Sequence, residues 1–339
     1  MIRVEAASRL HFGLLSFPPE EAGPACWPNL AGQAVVPARR FGGVGLMVEA
    51  PGVTVTARPS AAWRAEGALA ERALAFARQF ARSLAPEAFP PLHLAVERSA
   101  PEHCGLGTGT QLGLAVARAL AAAWGLGDPG ATELARRVGR GRRSALGVHG
   151  FAHGGLLVEA GQGRGGGIAP LVARADFPEP WRLVLVLPPW EKGLHGSREA
   201  RVFEQLRVEG LPVAQTDALC RLVLFGLLPA VHERDLPAFG EALYDLNLRA
   251  GAAFGAFQGG AYANPRVAEL TAFLRQQGVR GVGQSSWGPA VFAVAEDDDR
   301  ANDLARRVRQ RFGLAGEEVF PTRAQNQGAA VVTVAEGPA

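Results

Sequence analysis

The sequence predicts an α+β protein in which helices flank an antiparallel sheet. Three observations support this prediction: short alternating strands in the first half, two long apolar helical segments there, and a helix-rich second half that ends in apolar strands. Strands alternate with helices in the first half, and helices that flank an antiparallel sheet suggest an α+β sandwich. A chain of 339 residues suits one large domain or two ordinary ones, and we expect 1–180 and 181–339.

The first half begins with strands and continues with helices. Residues 92–97, LHLAVE, alternate apolar and polar side chains, and Val53 and Val55 alternate with threonines in the same way. Residues 65–84 and 109–124 carry apolar side chains at helical spacing. The glycine-rich residues 161–167 are expected to link two strands.

The second half opens with a strand that is apolar throughout, WRLVLVLPP at 181–189. Residues 218–235 and 236–254 look like a helical pair. A further helix should begin at the cap Asn264 and stop at Gly278. The remaining predicted elements are a strand, a charged helix and a last strand at 289–296, 297–312 and 329–336.

Composition narrows the class of protein. The chain is 48% hydrophobic and 20% charged, which allows a sizeable core. The net charge is only +3, and no basic run is interleaved with aromatic residues, so no nucleic-acid partner is expected. Three cysteines, far apart and odd in number, form no metal or disulfide pattern. The N-terminal residues lack a long apolar run, so we expect a cytoplasmic protein without a membrane span.

The stretch PEHCGLGTGTQLGLAVARAL (101–120) predicts an anion site. Gly105, Gly107 and Gly109 precede a helix, whose first N–H groups are unpaired and carry partial positive charge. Thr108 and Thr110 add hydroxyls that can contact a phosphate oxygen or Mg²⁺. Phosphate binding is therefore one interpretation, and an ordinary glycine-rich connection between a strand and a helix is the other.

The pattern P-x-x-x-G-L-G-T-G from Pro101 to Gly109 resembles the phosphate loop of the GHMP kinase superfamily. The resemblance implies a two-lobed fold, with a ribosomal-S5-like first half and a ferredoxin-like second half. Kinases of that superfamily usually carry an aspartate shortly before a Gly-Gly pair. Aligning Gly154 and Gly155 with that pair puts Gly147 at the aspartate position, which weakens a kinase interpretation because glycine cannot take a proton.

Longer strings resemble one branch of the superfamily, the β-ribofuranosylaminobenzene 5′-phosphate (β-RFAP) synthases of methanopterin biosynthesis. The branch often has an aspartate where Ser16 stands and a serine where Thr108 stands, so Ser16 receives no catalytic role. The resemblance spans nearly the whole chain. The strings are SRLHFGLL (8–15), RRFGGVGLMVEAP (39–51), GLGTGTQLGLAVARAL (105–120), GRGRRSALGVHGFAHGG (139–155), FQGGAYANP (257–265) and GVGQSSWGPAVF (281–292).

The resemblance implies a decarboxylating transferase. The family joins 5-phosphoribosyl 1-diphosphate to 4-hydroxybenzoate or 4-aminobenzoate, and CO₂ and pyrophosphate leave. Pyrophosphate departure calls for positive charge, from loop amides and from Mg²⁺. Loss of the carboxylate restores aromaticity, so no pyridoxal cofactor is expected.

Candidate residues follow from both lines of reasoning. As the base we favour His149, which follows two arginines, over His11; a structural histidine is the alternative for each. Trp287 can stack on an aromatic acid or belong to the core. Lys192 and His195 are expected in a substrate loop. The remaining candidates are Arg142 and Arg143 for the diphosphate, Arg39, Arg40, Ser285 and Ser286 for the substrates, and Thr108, Glu102 and Glu159 for the metal.

Two other functions stay open at this point. An ATP-dependent small-molecule kinase on the same fold would release ADP from ATP. A non-catalytic sensor would bind the ribose diphosphate without turnover. The sequence does not choose between the hydroxy and amino substrates, and a homodimer is compatible with it.

Overall fold

A computed structural model of the chain describes residues 1–17, 26–28, 34–37, 39–84, 89–163, 165–190 and 196–334. The strands are β1 (Ile2–Ser16), β2 (Cys26–Pro28), β3 (Ala34–Pro37), β4 (Gly42–Pro59), β5 (Arg64–Gly67), β6 (Leu92–Ser99), β7 (Leu156–Glu159), β8 (Leu171–Ala175), β9 (Arg182–Val186), β10 (Val282–Gln284), β11 (Val291–Ala295), β12 (Val319–Thr322) and β13 (Ala330–Thr333). The helices are α1 (Ala70–Leu84), α2 (Thr108–Ala123), α3 (Ala131–Arg137), α4 (Leu146–His153), α5 (Gly196–Glu209), α6 (Val213–Leu222), α7 (Leu228–Glu233), α8 (Leu236–Ala252), α9 (Gly255–Gln258), α10 (Pro265–Gln276) and α11 (Asp298–Phe312), with a π-helical turn at Val223–Leu227.

The first half forms a seven-stranded sheet whose main path runs β13-β1-β4-β6-β5, with β7 and β8 added beside β4. All pairs are antiparallel except β5 with β6. Helix α2 packs on this sheet and is buried along most of its length, because small and apolar side chains cover nearly its whole circumference. The amino end of α2 is the part of the helix that reaches the functional site.

Strand β1 joins two hydrophobic cores. Val4 and Ala6 pack against α1 and α2, whereas Leu10 and Phe12 pack toward the second half of the chain. The register of β1 against β4 shifts between Ala6 and Ser8, and such a bulge changes which face the following side chains occupy. The second part of β1 therefore lies between the two halves of the molecule.

The second half contains a four-stranded antiparallel sheet in the order β10-β11-β9-β12. Strand β9 is buried on both faces, since Leu183 and Leu185 face α7 and α8 while Val184 and Val186 face α10 and α11. This explains why 181–189 reads as a continuous apolar run. The α+β class predicted from the sequence is confirmed.

Most predicted elements agree with the structure. Asn264 caps α10 by accepting a hydrogen bond from the Val267 amide, and Gly278 follows the helix with a φ of 82°. The predicted helix at 65–84 is wrong at its start, because residues 64–67 form β5 beside β6. Strand β12 was not predicted, since Pro321 lies inside it; as an edge strand it tolerates the missing donor.

The last strand crosses the expected boundary at residue 180. Strand β13 pairs antiparallel with β1, so the chain returns to the first sheet after completing the second. The division at residue 180 stays a prediction.

One stretch, Ala214–Glu233, is long and apolar enough to cross a membrane by length and composition alone. It consists of α6, the π-helical turn and α7. Leu219, Val223 and Leu227 are buried in the core shared with α8. A core helix of a soluble protein passes the same test, so the stretch is weak support for a membrane span.

Candidate functional site

The loop before α2 opens into a cavity of about 600 Å³ between the two halves of the chain. Gly107 caps the helix with a φ of 70°, and Gly105 has a φ of 95°. Both values lie in the left-handed region that glycine adopts without strain. Gly107 also accepts hydrogen bonds from the amides of Thr110 and Gln111. The free amide end of α2 is thereby directed at the cavity, as phosphate binding requires.

Five arginines line the cavity around this loop. Arg9 comes from β1 and Arg72 from α1, and the segment between α3 and α4 supplies Arg140, Arg142 and Arg143. The arginines lie so close that side chains in the loop would displace them. An atom added at Gly107 would come within 3.0 Å of Arg9 Nε, and one added at Gly109 within 2.8 Å of Arg140 Nη2. Because Gly107 and Gly109 have no side chains, the guanidinium groups can reach the backbone of the loop.

The arginines make the cavity electropositive. Burial, together with the charges of Arg72 and Arg143, lowers the pKa of Arg140 to about 10. Burial likewise lowers the pKa of Arg9 to about 10, with the charge of Glu159 acting in the opposite direction. Both groups stay protonated at neutral pH. An anion bound here would relieve their mutual repulsion.

His11 lines the same cavity two residues after Arg9, on the same face of β1. Burial, together with the charge of Arg9, holds the pKa of His11 well below its usual value. The neutral form of the ring is therefore favoured. Its backbone is fixed from both sides, because His11 N donates to Ser285 Oγ at 3.0 Å and Ser286 N donates to His11 O at 3.0 Å.

Aromatic side chains form another wall of the cavity. Phe254 and Trp287 pack edge to face with ring centroids 4.6 Å apart. Phe203 lies 6.0 Å from Trp287 and 5.8 Å from Phe41. The Arg143 guanidinium lies 4.6 Å from the Phe203 ring centroid, so the aromatic wall adjoins the arginines. The cavity wall thus combines basic and aromatic side chains.

Ser285 is fully buried. Its hydroxyl donates to Gly105 O at 2.7 Å, which ties the phosphate loop to the turn after β10. This contact positions the loop, and Ser285 is absent from the described cavity wall; its predicted contact with a substrate stays a prediction. Ser286 is exposed and lines the cavity together with Trp287, as expected for substrate contacts.

We expected His149 in the arginine-rich loop, but it lies in α4. Its Nε2 pairs with Ala169 O at 2.7 Å, and the ring is absent from the cavity wall formed by the described residues. Burial lowers its pKa, while the hydrogen bond to Ala169 raises it. Gly147, two positions earlier, does line the cavity. An offset of two residues turns a side chain by about 200° around a helix, which points His149 away.

Arg39 and Arg40 are not brought to the cavity either. Arg39 Nη1 donates to Gly161 O at 3.0 Å, and the Arg40 backbone pairs with Gln162 in an isolated bridge. Their neighbour Phe41 reaches the site instead. Arg142 and Arg143 do line the cavity, as predicted. Lys192 and His195 lie outside the described residues.

The three candidate metal ligands have different surroundings. Glu102 lines the cavity and forms an ion pair with Arg72. The Thr108 hydroxyl donates to Pro101 O at 2.9 Å, so it lies at the same corner as Glu102. Glu159 is buried behind the site, where it accepts hydrogen bonds of 2.6 Å from Ser144 Oγ and from the Ala145 amide. Burial raises the pKa of Glu159 to about 7.

Sequence reasoning missed several cavity residues. Arg9 could have been found, because it alternates with His11 in the strand SRLHFGLL. Arg140 begins the basic string whose later arginines were predicted. The other three left no local signal, because the helices and the turn that carry them reach the site only through tertiary packing: Arg72, Phe203 and Phe254.

Two family models match the chain. The model of the GHMP kinases N-terminal domain matches residues 69–155, and that of the GHMP kinases C-terminal domain matches residues 227–314. Solved structures agree with this fold. Homoserine kinase from Cytophaga hutchinsonii has a TM-score of 0.65 at 15% identity, covering 98% of this chain and 97% of its own. Mevalonate diphosphate decarboxylase from Enterococcus faecalis has a TM-score of 0.64 at 15% identity, covering 98% and 99%.

Curated relatives are more similar in sequence. A β-ribofuranosylphenol 5′-phosphate synthase from Archaeoglobus fulgidus is 31% identical over 97% of this chain and 98% of its own. One from Methanothermobacter thermautotrophicus is 32% identical over 71% of this chain and 73% of its own. A third, from Methanocaldococcus jannaschii, is 28% identical over 67% and 70%.

Proposed function

The chain belongs to the family of the β-ribofuranosylphenol 5′-phosphate synthases, and we propose from this the reaction that its cavity supports. It is an enzyme of the transferase class. The reaction joins C1 of 5-phosphoribosyl 1-diphosphate to an aromatic carbon of 4-hydroxybenzoate and releases CO₂ and pyrophosphate. The relatives are named for a ribofuranosylphenol, and a phenol product retains a hydroxyl, so the hydroxy acid is favoured over the amino acid.

One observation carries the proposal. A single cavity combines a helix amino end surrounded by arginines with a wall of aromatic rings. The first part suits a sugar phosphate that carries a diphosphate, and the second suits a flat aromatic acid. A cavity of about 600 Å³ falls within the range that holds small-molecule ligands. Both substrates can therefore lie side by side, as bond formation between them requires.

The bond changes follow from this arrangement. The bond between C1 of the ribose and the diphosphate oxygen breaks, and negative charge grows on the leaving pyrophosphate. Arg9, Arg140 and the amides of the 105–110 loop face that charge. The aromatic carbon that bears the carboxylate then attacks C1. When CO₂ leaves, its bonding electrons return to the ring, so no pyridoxal cofactor takes part.

His11 is placed to act on the acceptor. Electron donation from the para hydroxyl makes the attacking carbon nucleophilic, and it is stronger once the hydroxyl proton moves to a base. His11 lines the cavity, and its neutral ring would accept this proton and return it to the phenolate oxygen after CO₂ leaves. Trp287 and Phe254 would hold the aromatic acid by stacking.

The donors in the cavity also suit Mg²⁺ that arrives with the diphosphate. Mg²⁺ in phosphate sites is held by one or two carboxylates together with phosphate oxygens. Glu102 and Thr108 would hold it here, at the corner defined by Pro101. Among the described residues, no three His, Cys, Asp or Glu side chains lie close enough together to hold a metal ion by themselves, so phosphate oxygens would complete the coordination. The ion supplies positive charge against the leaving pyrophosphate.

The wider setting is proposed with the reaction. The substrates are small molecules, and neither nucleic acid nor membrane is needed to bring them to the cavity. We place the enzyme in the cytoplasm, where Cys104 and Cys220 stay reduced. In a homodimer, the exposed side chains Leu224 and Phe225 would be the apolar surface for a second copy.

The test supplies 5-phosphoribosyl 1-diphosphate, Mg²⁺ and 4-hydroxybenzoate labelled in its carboxyl group. We expect labelled CO₂ and pyrophosphate in equal amounts, and neither without the donor. If no CO₂ is released with any divalent metal while the diphosphate still binds, the chain is a sensor and not this enzyme.

The kinase alternative is tested in the same preparation. Gly147 lines the cavity where the superfamily's aspartate would stand and offers no group to accept a proton. Incubation with ATP and simple alcohols should therefore give no ADP above the buffer control. Stoichiometric ADP and phosphorylated alcohol would replace the transferase proposal with a kinase.

A further inference from the structure

We propose that Glu199 occupies the place of a substrate phosphate group in the free enzyme and is displaced when the anionic substrate binds. The inference rests on the proposed function, because it names a competitor for the same anion site. Glu199 lies in the first turn of α5, and its carboxylate enters the cavity from the second half of the chain. Glu199 lies outside the phosphate loop and outside the basic segment before α4.

The direct contact is with Arg143, a predicted diphosphate ligand. Arg143 Nη1 lies 3.0 Å from Glu199 Oε1, within ion-pair distance. Both side chains are partly exposed, at 44% and 26%, so water screens the pair and a stronger anion can replace it. In the free enzyme, this pair holds the Arg143 guanidinium at the cavity rather than in solvent.

The charge of Glu199 also acts on the deeper arginines. It raises the pKa of Arg9 and of Arg140, partly opposing the effect of burial on each. The carboxylate therefore stands within electrostatic reach of three cavity arginines at once. The described part of the cavity wall has five arginines and two glutamates, and the other glutamate, Glu102, is paired with Arg72. Glu199 is thus the carboxylate that a diphosphate would meet among Arg9, Arg140 and Arg143.

Displacement of Glu199 from Arg143 would also change the contacts of the aromatic wall. Phe203 lies one helical turn after Glu199 on α5, and its ring contacts the same Arg143 guanidinium at 4.6 Å. Phe203 also packs 6.0 Å from Trp287, where the aromatic acid would stack. An anion that takes Arg143 from Glu199 removes one of the contacts that hold this face of α5 to the site.

The test compares the affinity of the wild-type chain, Glu199→Gln and Glu204→Gln for pyrophosphate by isothermal titration calorimetry. Glu204 lies on the same helix, is exposed and is absent from the cavity wall, so it is the matched loss of charge. Removing the competing carboxylate should tighten pyrophosphate binding by about three- to fivefold, the scale of a screened ion pair, while Glu204→Gln leaves it unchanged.

Steady-state kinetics supply a readout that a purely structural role would not move. In Glu199→Gln the KM for the ribose diphosphate should fall by the same factor and inhibition by pyrophosphate should strengthen, without a rise in kcat. Unchanged or weaker pyrophosphate binding by Glu199→Gln, beside a wild type that binds it, overturns the inference and leaves the proposed function standing. If the wild type itself does not bind pyrophosphate, the proposed function fails first.

Discussion

At the scale of single residues, the chemistry depends on which histidine can reach the substrate in its neutral form. His11 meets both conditions, because it lines the cavity and because burial and Arg9 lower its pKa. His149 is also largely uncharged at neutral pH, yet its Nε2 pairs with Ala169 O away from the cavity. The pair provides a matched test of a general base against a structural histidine.

We expect His11→Gln to lower kcat by about 100-fold, since an amide can accept a hydrogen bond but not a proton. His149→Gln should keep its activity, because the amide can replace the hydrogen bond to Ala169 O. The lowered pKa of His11 means that its contribution is lost only as pH falls well below 6.5, so kcat/KM should show no loss from this group between pH 8 and 6.5. Equal losses of kcat in both variants would remove His11 from the role of base.

The same residues show what the sequence could and could not predict. Alternation along β1 places Arg9 and His11 on one face, and it was available from the string SRLHFGLL. The preference for His149 came from its closeness in sequence to Arg142 and Arg143. The structure does not support this preference, because α4 begins after these arginines and turns residue 149 away from the cavity. The sequence shows that His149 is close to the arginines along the chain. It does not show which way the side chain points, because that depends on the helix.

At the scale of elements, the site depends on the close approach of two backbone segments, the phosphate loop and the turn after β10. The phosphate loop is held to the turn after β10 by Ser285, and a side chain at Gly105 would collide with the Ser285 carbonyl. Gly109 lies inside the first turn of α2, where the backbone conformation suits alanine. Its Cβ atom, however, would push against Arg72 and Arg140. The loop was predictable from its glycines, whereas its partners across the cavity were not, because no local pattern encodes them.

Gly109→Ala therefore tests the junction without straining the backbone. We expect about a tenfold or greater loss of pyrophosphate affinity, because the guanidinium groups must retreat from the helix amino end. The flexible ends of the arginines can move, so the thermal midpoint of unfolding should change little. The control is Gly130→Ala at the start of α3, where an added methyl meets nothing within 4 Å. Calorimetric titration should separate the two variants, and equal affinities would exclude the loop from the anion site.

At the scale of the whole molecule, the cavity exists because two sheets share one core. Leu10 and Phe12 of β1 pack in the same cluster as Leu185 and Phe292 of the second sheet. The two-layer class was predictable from apolar spacing, but this shared core was not, because it joins residues about 280 positions apart. The return of β13 to β1 adds a second link between the ends of the chain.

Phe292→Ala should show that the two halves unfold together. The Phe292 ring is fully buried on β11, with its centroid 5.0 Å from that of Phe12 on β1. Removing it leaves a cavity between the sheets and should lower the free energy of unfolding by about 3–5 kcal/mol. Urea titrations followed by far-UV circular dichroism, tryptophan fluorescence and pyrophosphate binding should still give one coincident transition, because β1 carries Arg9 and His11 into the shared core. Val208→Ala, at a side chain that is 58% exposed, should change the free energy by less than about 0.5 kcal/mol. If the second sheet unfolds at lower urea while pyrophosphate binding persists, the halves are independent and the cavity does not need their common core.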